Sequence, residues 1–409
     1  MSKKGNKGIN FILITVLIDM IGVGIIIPVI PKLLKSMLHV EANDASLYGM
    51  YLVFVYAFMQ FIFSPVIGSL SDRYGRKPVL LISLTGLGID FLFLALAPTY
   101  GWLFIGRLIA GMAGGSYTTA MAYIADISTP EKKAQNFGMV GAAFGLGFII
   151  GPILGGYFGS YGERIPFFIA AGLSLLNVIY GLFILPESLK KENRRSFDIK
   201  RANPIGALKL FQKYPVLTGF VIVIFLIHIA GHSVQSNWSF YTDFMFKWTS
   251  KEIGLSLGLV GVMVALVQGG LIRFTLPKFG YKNSIFIGML FWGTGLLLFS
   301  IANEGWMMYA FIAPYCLGGM AFPAIQGLLS HNVPDNQQGE LQGAITSLIS
   351  ITNIFGPLMM MSLFNYFSDD KAIFTFPGIP FVLGAALVLV SLYFAYNSLS
   401  VIKIPVKKS

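Results

Sequence analysis

The stretch Gly68-Ser-Leu-Ser-Asp-Arg-Tyr-Gly-Arg-Lys-Pro78 decides the fold, because it is a short polar turn between two long apolar runs. These runs, 46–67 and 79–97, are each close to the ~20 residues that a helix needs to cross a bilayer. The two glycines permit a tight turn, and the three basic residues favour the cytoplasmic side of a membrane. The stretch therefore predicts a cytoplasmic turn between two transmembrane helices.

The same alternation of apolar runs and short polar turns continues through all 409 residues. Of these residues 55% are hydrophobic and 11% are charged. Soluble proteins carry about 25% charged residues, so the composition excludes a soluble enzyme. It also excludes a disordered chain, which needs low hydrophobicity and high charge. Only helices and closed barrels span bilayers, and the runs lack the alternating pattern of a barrel. We predict an all-α membrane protein with twelve transmembrane helices. The runs are 9–34, 46–67, 79–97, 102–124, 135–159, 165–185, 215–240, 253–275, 284–302, 306–329, 341–365 and 379–400.

The basic residues predict the orientation of these helices. With the N-terminus inside, 22 Lys and Arg residues fall in cytoplasmic segments and 6 in external ones, which puts both termini in the cytoplasm of a bacterial-type inner membrane. The net charge of +11 follows from this bias and does not indicate a nucleic-acid partner. The first run is too long for a signal peptide and has no cleavage site, so we expect it to be an uncleaved span. Cys316, the single cysteine, can form neither a disulfide framework nor a zinc site.

The two halves of the chain repeat. Arg73–Lys77 and Lys278–Lys282 open corresponding spans, and Gly151-Pro152 and Gly356-Pro357 lie inside corresponding spans, both at an offset of 205 residues. Same-sense repeats are typical of transporters with a binding site between the halves. The predicted domains are six-helix bundles over 1–189 and 215–409, joined by a linker over 190–214. The linker reads equally well as a short helix on the inner leaflet or as a solvated segment.

Three charges lie deep within the predicted spans: Asp19, Asp90 and Arg107. A lone charge at the centre of a bilayer costs at least about 2.5–3.5 kcal/mol, so it needs a partner or a water-filled cavity, and it is by default functional. We predict that the two carboxylates and the arginine load and release a proton. The alternative is a static structural ion pair.

The turn Gly68–Pro78 also predicts a conformational latch. Asp72 can pair with Arg76 or with a helix N-terminus, and a pair made in one conformation only would hold that conformation. The alternative is a topology signal alone. The predicted latch comprises Gly68, Asp72, Arg73, Gly75, Arg76 and Lys77.

Two further sets of residues are candidates for transport. The fifth span is rich in glycines, which permit close helix approach, and a proline, which kinks the helix; ordinary small-residue packing is the plainer role. In the seventh span, polar residues at spacing i, i+4 and i+7 share one face. They could line a cavity with isolated polar and aromatic residues of other spans, although hydrogen bonding between helices explains any single one. The fifth-span set is Gly141, Gly145, Gly151, Pro152, Gly155 and Gly156, and the cavity set is Gln60, His228, His232, Gln235, Trp238, Gln268, Trp292, Gln326 and Asn353. No catalytic triad, metal-ligand cluster or phosphate loop emerges.

These motifs resemble the major facilitator superfamily. The turn Gly68–Pro78 is similar to its signature, the fifth-span glycines resemble its antiporter motif, and the surroundings of Asp19, Asp90, Arg107 and Asp126 resemble the tetracycline/proton antiporter group. The resemblance implies a drug–proton antiporter that needs no cofactor beyond the coupling proton. It also implies that the deep charges, Asp72 and Arg76 are required for transport.

Two positions depart from that group. Trp292 stands where tetracycline exporters usually place an aspartate, and Val264 stands where they often place a histidine. We therefore predict export of another lipophilic drug-like compound by a monomer in contact with membrane lipid. A proton-coupled metabolite symporter and a non-transporting receptor of the same fold are the alternatives.

Overall fold

The computed structural model describes residues 3–194, 210–214, 217–334 and 337–399. These residues are almost entirely helical. In chain order the α-helices are α1 (Lys3–Ile26), α2 (Ile30–Leu38), α3 (Ala42–Tyr74), α4 (Arg76–Leu96), α5 (Tyr100–Ala113), α6 (Ser116–Ile127), α7 (Pro130–Gly159), α8 (Ile165–Ile184), α9 (Leu210–Lys213), α10 (Thr218–Gln235), α11 (Trp238–Phe246), α12 (Ser250–Leu266), α13 (Ile272–Ser300), α14 (Gly305–Leu317), α15 (Ala321–His331), α16 (Gln338–Phe367) and α17 (Ile379–Leu399).

Ten helical segments among the described residues are long and apolar enough to cross a membrane. One of them, Ser250–Ser300, has 51 residues and contains a non-helical residue, Gly280, with φ of 74°, so it holds two spans. A further span is divided into α5 and α6 by Gly114 and Gly115, and neither piece is long enough alone. With these two features the described residues hold twelve spans, and the predicted fold class is confirmed.

Several spans contain local irregularities where the sequence places proline or glycine. Pro152 lies inside α7 and Pro357 inside α16, at corresponding positions of the two halves. The chain between α12 and α13 forms a π-helical turn over Val267–Leu271, and a 3₁₀ turn over Gly318–Met320 joins α14 to α15. Such turns are frequent at functional sites.

Contacts within the chain define two compact units. The first unit consists of Met1–Val40, Tyr51–Asn203 and Thr249–Gly258, and the second of Glu41–Met50, Pro204–Trp248 and Leu259–Ser409. The predicted domains follow chain order instead, and their boundaries stay a prediction. Most of the predicted linker, 195–209, lies outside the described residues, including the expected amphipathic segment around Ile205 and Leu208.

The core of the first unit forms around α1. Phe11 and Ile12 are completely buried and share an apolar cluster with Leu84 of α4 and Ile124 of α6. On another side α1 meets α7 at glycine: a Cβ on Gly151 would lie 2.7 Å from the Ile21 carbonyl oxygen. Glycine therefore lets the two backbones touch, and α1 packs closely against α7.

The core of the second unit is aromatic. Trp238 is 1% exposed, and its ring meets Phe299 edge-on with centroids 5.0 Å apart. The Tyr241 ring packs at 4.8 Å against Phe381, and its hydroxyl donates to the Phe299 carbonyl at 3.2 Å. Edge-to-face pairs of this kind add about 0.5–1.5 kcal/mol each beyond their buried area.

Candidate functional site: buried charges of the first unit

The deepest ion pair joins Asp90 of α4 to Arg107 of α5. The Arg107 Nε donates to Asp90 Oδ1 at 3.1 Å, and a guanidinium NH2 group contacts the second carboxylate oxygen. The Asp90 side chain has no exposed surface, and that of Arg107 is 14% exposed. Each carboxylate oxygen faces a different nitrogen of the guanidinium, so the two charges form a close, buried ion pair. The structure thus brings together two of the three charges that the sequence predicts as functional.

The third charge, Asp19 of α1, is held differently. Its Oδ2 accepts a hydrogen bond of 3.0 Å from the Ser116 hydroxyl, and its Oδ1 has no hydrogen-bond partner among the described residues. Ser116 is the first residue of α6, so the break after Gly115 places its hydroxyl beside the acid. A carboxylate with one oxygen free and buried has room to accept a proton there.

The predicted latch is a network centred on Arg76. Its NH1 contacts Asp72 Oδ1 at 2.6 Å and donates to the Ser71 hydroxyl, while its Nε donates to Asp126 Oδ2 at 3.1 Å. Ser188 also donates to that Asp126 oxygen, at 3.0 Å. Arg76 therefore ties the end of α3, the end of α6 and the segment after α8 to the start of α4.

The helix N-terminus in this network is capped by Glu187. Its two carboxylate oxygens accept from the backbone N–H groups of Arg76 at 2.8 Å and Lys77 at 3.2 Å. Gly75 precedes the helix with φ of 108°, a conformation that favours glycine, and a Cβ there would collide with Glu187. Of the two partners that the sequence offers Asp72, Arg76 or a helix N-terminus, the structure has Arg76, and the latch predicted from the sequence does not include Glu187 or Asp126. The signal for both is a carboxylate at the cytoplasmic end of an apolar run.

The side chains of Arg73 and Lys77, and the glycine at position 68, make other contacts. The Arg73 guanidinium stacks over the neighbouring Tyr74 ring at 5.1 Å, and Lys77 donates to the Leu182 carbonyl at 2.9 Å. Gly68 faces the Thr118 methyl, with 3.8 Å to where its Cβ would be. None of these side-chain contacts involves Arg76, which is therefore the centre of the network.

The fifth-span glycines divide into two faces of α7. Gly151 and Gly155 contact the backbone of α1, and Gly156 approaches α12, where a Cβ would lie 3.0 Å from the Gly254 Cα. Gly141 and Gly145 face open space, with nothing within 4 Å of a Cβ. Gly151, Gly155 and Gly156 therefore lie at helix contacts, whereas Gly141 and Gly145 do not.

The polar residues of the seventh span, which lie in α10, differ in their exposure. His228 Nδ1 bonds the Ile224 carbonyl at 2.8 Å, and its ring meets Phe322 edge-on. His232 is buried against Gly356 and hydrogen-bonds Asn353, whereas Gln235 is exposed. These contacts link α10 to its neighbours in the second unit, as expected for polar groups in lipid.

The other residues of the cavity set are scattered over the second unit and α3. Trp292 packs on Tyr315 with centroids 6.3 Å apart and hydrogen-bonds it. Gln268 is exposed in the π-helical turn, and Gln326 is half-buried in α15. Trp238 lies in the aromatic core, so it packs helices and does not line open space. Gln60 belongs to α3 of the first unit.

Known proteins of similar sequence identify the family of this chain. The sequence model of the Major Facilitator Superfamily matches residues 12–277 and 246–401. The chain belongs to the major facilitator superfamily. It is 37% identical to the class C tetracycline resistance protein of Escherichia coli, over 95% of this chain and 96% of that protein, and 31% identical to Multidrug resistance protein 2 of Bacillus subtilis, over 94% and 95%. It is thus a multi-pass membrane transporter, not an enzyme.

Solved structures agree on the fold. The human organic anion transporter MFSD10 superposes with a TM-score of 0.71 at 21% identity, over 96% of this chain and 99% of that one. The nucleoside transporter NupG superposes with a TM-score of 0.74 at 16% identity, over 98% and 99%. At these identities the match concerns the fold alone.

Proposed function

We propose that this transporter is a proton-coupled antiporter that exports lipophilic, drug-like compounds from the cytoplasm. One observation carries the proposal: the first unit buries Asp90 against Arg107 while leaving one oxygen of Asp19 without a partner among the described residues. Buried ionisable groups in a membrane mark proton routes. An acid with a free oxygen can take up a proton. An arginine that is paired with a second acid can shift in response to that change of charge.

The relatives support the direction of transport. Those cited are named for resistance to tetracycline or to many drugs, and they align over nearly their whole length. Export from the cytoplasm is how a membrane transporter protects a cell. The inner-membrane location and the cytoplasmic termini follow from the basic residues, and a monomer suffices because both units belong to one chain.

The preferred substrate is a lipophilic aromatic compound other than magnesium–tetracycline. Trp292 occupies the position where the resemblance leads us to expect an aspartate, and it is engaged with the Tyr315 ring. Aromatic rings favour stacking and cations, whereas magnesium prefers oxygen ligands. The second candidate is tetracycline itself, which the names of the relatives favour.

Proteoliposomes test the proposal. With an imposed proton gradient, purified protein should accumulate ethidium, a lipophilic aromatic cation, and each uptake should release protons measurable with a pH indicator. Magnesium–tetracycline provides the second arm. A proton-coupled metabolite symporter would move neither compound against its gradient, and a receptor would bind without transport; either result would exclude antiport of drugs.

A further inference from the structure

A link between the two acids runs through α3. Tyr56 and Gln60 are four residues apart and therefore share one face of this helix. The Gln60 amide nitrogen donates to the Tyr56 hydroxyl and to the Gly114 carbonyl, both at 3.3 Å. An amide carries two N–H donors, so both bonds can exist together. One side chain thus joins a tyrosine of α3 to the break between α5 and α6.

The tyrosine end of the link reaches Asp90. The Arg107 guanidinium lies over the Tyr56 ring at 5.5 Å, within the range of a cation–π contact, and it is the same guanidinium that pairs with Asp90. Tyr56 therefore contacts the ion pair with its ring and Gln60 with its hydroxyl. A movement of Arg107 away from Asp90 would change both contacts.

The glycine end of the link reaches Asp19. The break at Gly114 and Gly115 is pressed against α3, since a Cβ on Gly114 would lie 2.9 Å from the Gln60 amide and one on Gly115 would collide with Ile67. The next residue, Ser116, donates to Asp19. The break can therefore shift only if Gln60 shifts, and the position of Ser116 depends on the break.

We infer that Tyr56 and Gln60 are positioning residues that make the Asp90–Arg107 pair and the Ser116–Asp19 contact respond to each other. When Asp19 takes a proton from water, it loses the charge to which Ser116 donates. Ser116 and the break then relax, Gln60 follows the Gly114 carbonyl, and the Tyr56 ring moves relative to Arg107. When Asp19 returns the proton to water, the sequence reverses. The inference rests on the proposed proton coupling.

The second unit contains a similar approach of a glutamine to a glycine at a broken span. Gly319, 205 positions after Gly114, lies beside Gln268, whose amide nitrogen is 3.6 Å from where a glycine Cβ would be. The neighbouring aromatic pair there is Trp292 and Tyr315. A glutamine therefore approaches the broken span in both units, and in the first unit its hydrogen bonds join a serine–acid contact to a buried arginine–acid pair.

Tyr56→Phe tests the link, because it keeps the ring beneath Arg107 and removes only the hydroxyl that accepts from Gln60. The assay uses whichever of ethidium or magnesium–tetracycline the wild type transports. We expect gradient-driven accumulation and proton release per drug molecule to fall about 5-fold or more, the lower end for coupling between two sites. Drug–drug exchange, which needs no net proton movement, should fall less, and the unfolding temperature should stay near that of the wild type.

A double-mutant cycle and a control complete the experiment. Gln60→Leu should uncouple as Tyr56→Phe does, and the double variant should be no worse than Gln60→Leu, since both break one link. Tyr117→Phe, which removes a hydroxyl with no hydrogen bond to another described residue, should couple normally. Normal proton release by Tyr56→Phe, or additive losses in the double variant, would overturn the link. A wild type that moves drug without releasing protons would overturn the proposed antiport itself.

Discussion

Gly151→Ala should displace α1 from its place in the first unit. The added Cβ would lie 2.7 Å from the Ile21 carbonyl oxygen and 2.8 Å from the Gly24 Cα. Both atoms belong to the backbone of α1, so no side-chain rotation can relieve the contact. Restoring ordinary van der Waals separation requires a shift of about 0.6–0.7 Å between the helices.

The expected change in the free energy of unfolding is the difference between two opposing effects. Overpacking of this kind costs about 1–3 kcal/mol, and replacing glycine by alanine within a helix returns about 0.5–1 kcal/mol. We expect a net loss of roughly 1–2 kcal/mol. Ile21 is two residues from Asp19, so the shift also moves the acid relative to Ser116. Because a displacement of ~1 Å can cost about 100-fold in rate, gradient-driven export should fall sharply.

The matched control is Gly145→Ala on the same helix. Nothing lies within 4 Å of its Cβ position, so only the helix-forming gain of about 0.5–1 kcal/mol remains. Thermal unfolding of the two purified variants should therefore shift in opposite directions from the wild type, and drug uptake into vesicles measures the effect on transport. If Gly151→Ala unfolds at or above the temperature of Gly145→Ala and still exports drug, the close packing of α1 on α7 is not what the glycines provide.

Other predictions concern the charges and the substrate. Asp19→Asn or Asp90→Asn should abolish gradient-driven export while insertion stays normal, because neutralising a central charge eases insertion; full efflux by both variants, measured in vesicles, would contradict their role. Asp72→Asn should slow transport while equilibrium drug binding stays nearly intact, since Arg76 loses one partner of its network; a parallel loss of binding would indicate misfolding instead. Glu187→Gln should lower the unfolding temperature through loss of a charged cap worth about 0.5–2 kcal/mol, and an unchanged melt would argue against the cap. Expression in a drug-sensitive host should give weak tetracycline resistance at most, whereas strong, magnesium-dependent resistance would show that Trp292 does not exclude that drug.

Much of the fold could be predicted because the bilayer imposes a length on every span and a charge bias on every turn. The division of the fourth span could not, since 102–124 contains no proline and its four glycines look like ordinary packing residues. The break becomes visible only when α3 presses on Gly115 and Gln60 reaches the Gly114 carbonyl. It depends on contacts between residues that are about fifty positions apart.

The same distinction applies to the candidate site. Asp19, Asp90 and Arg107 could be found from the sequence because charges are rare in spans, so each one stands out. For Glu187 the sequence shows only a carboxylate at the end of an apolar run, and its role as a cap depends on a helix that begins 111 residues earlier. The polar stripe predicts Trp238 near the cavity, but the chain turns between α10 and α11 and the Trp238 ring packs in the aromatic core.

The confinement of buried acids to the first unit has an electrical consequence. One elementary charge that crosses the whole membrane potential gains or loses about 2.3 kcal/mol per 100 mV, so a proton that reaches Asp19 near mid-depth experiences about half of that. In the second unit the described spans carry no carboxylate at comparable depth. Under the proposed proton coupling, membrane voltage therefore acts on the transport cycle through the first unit.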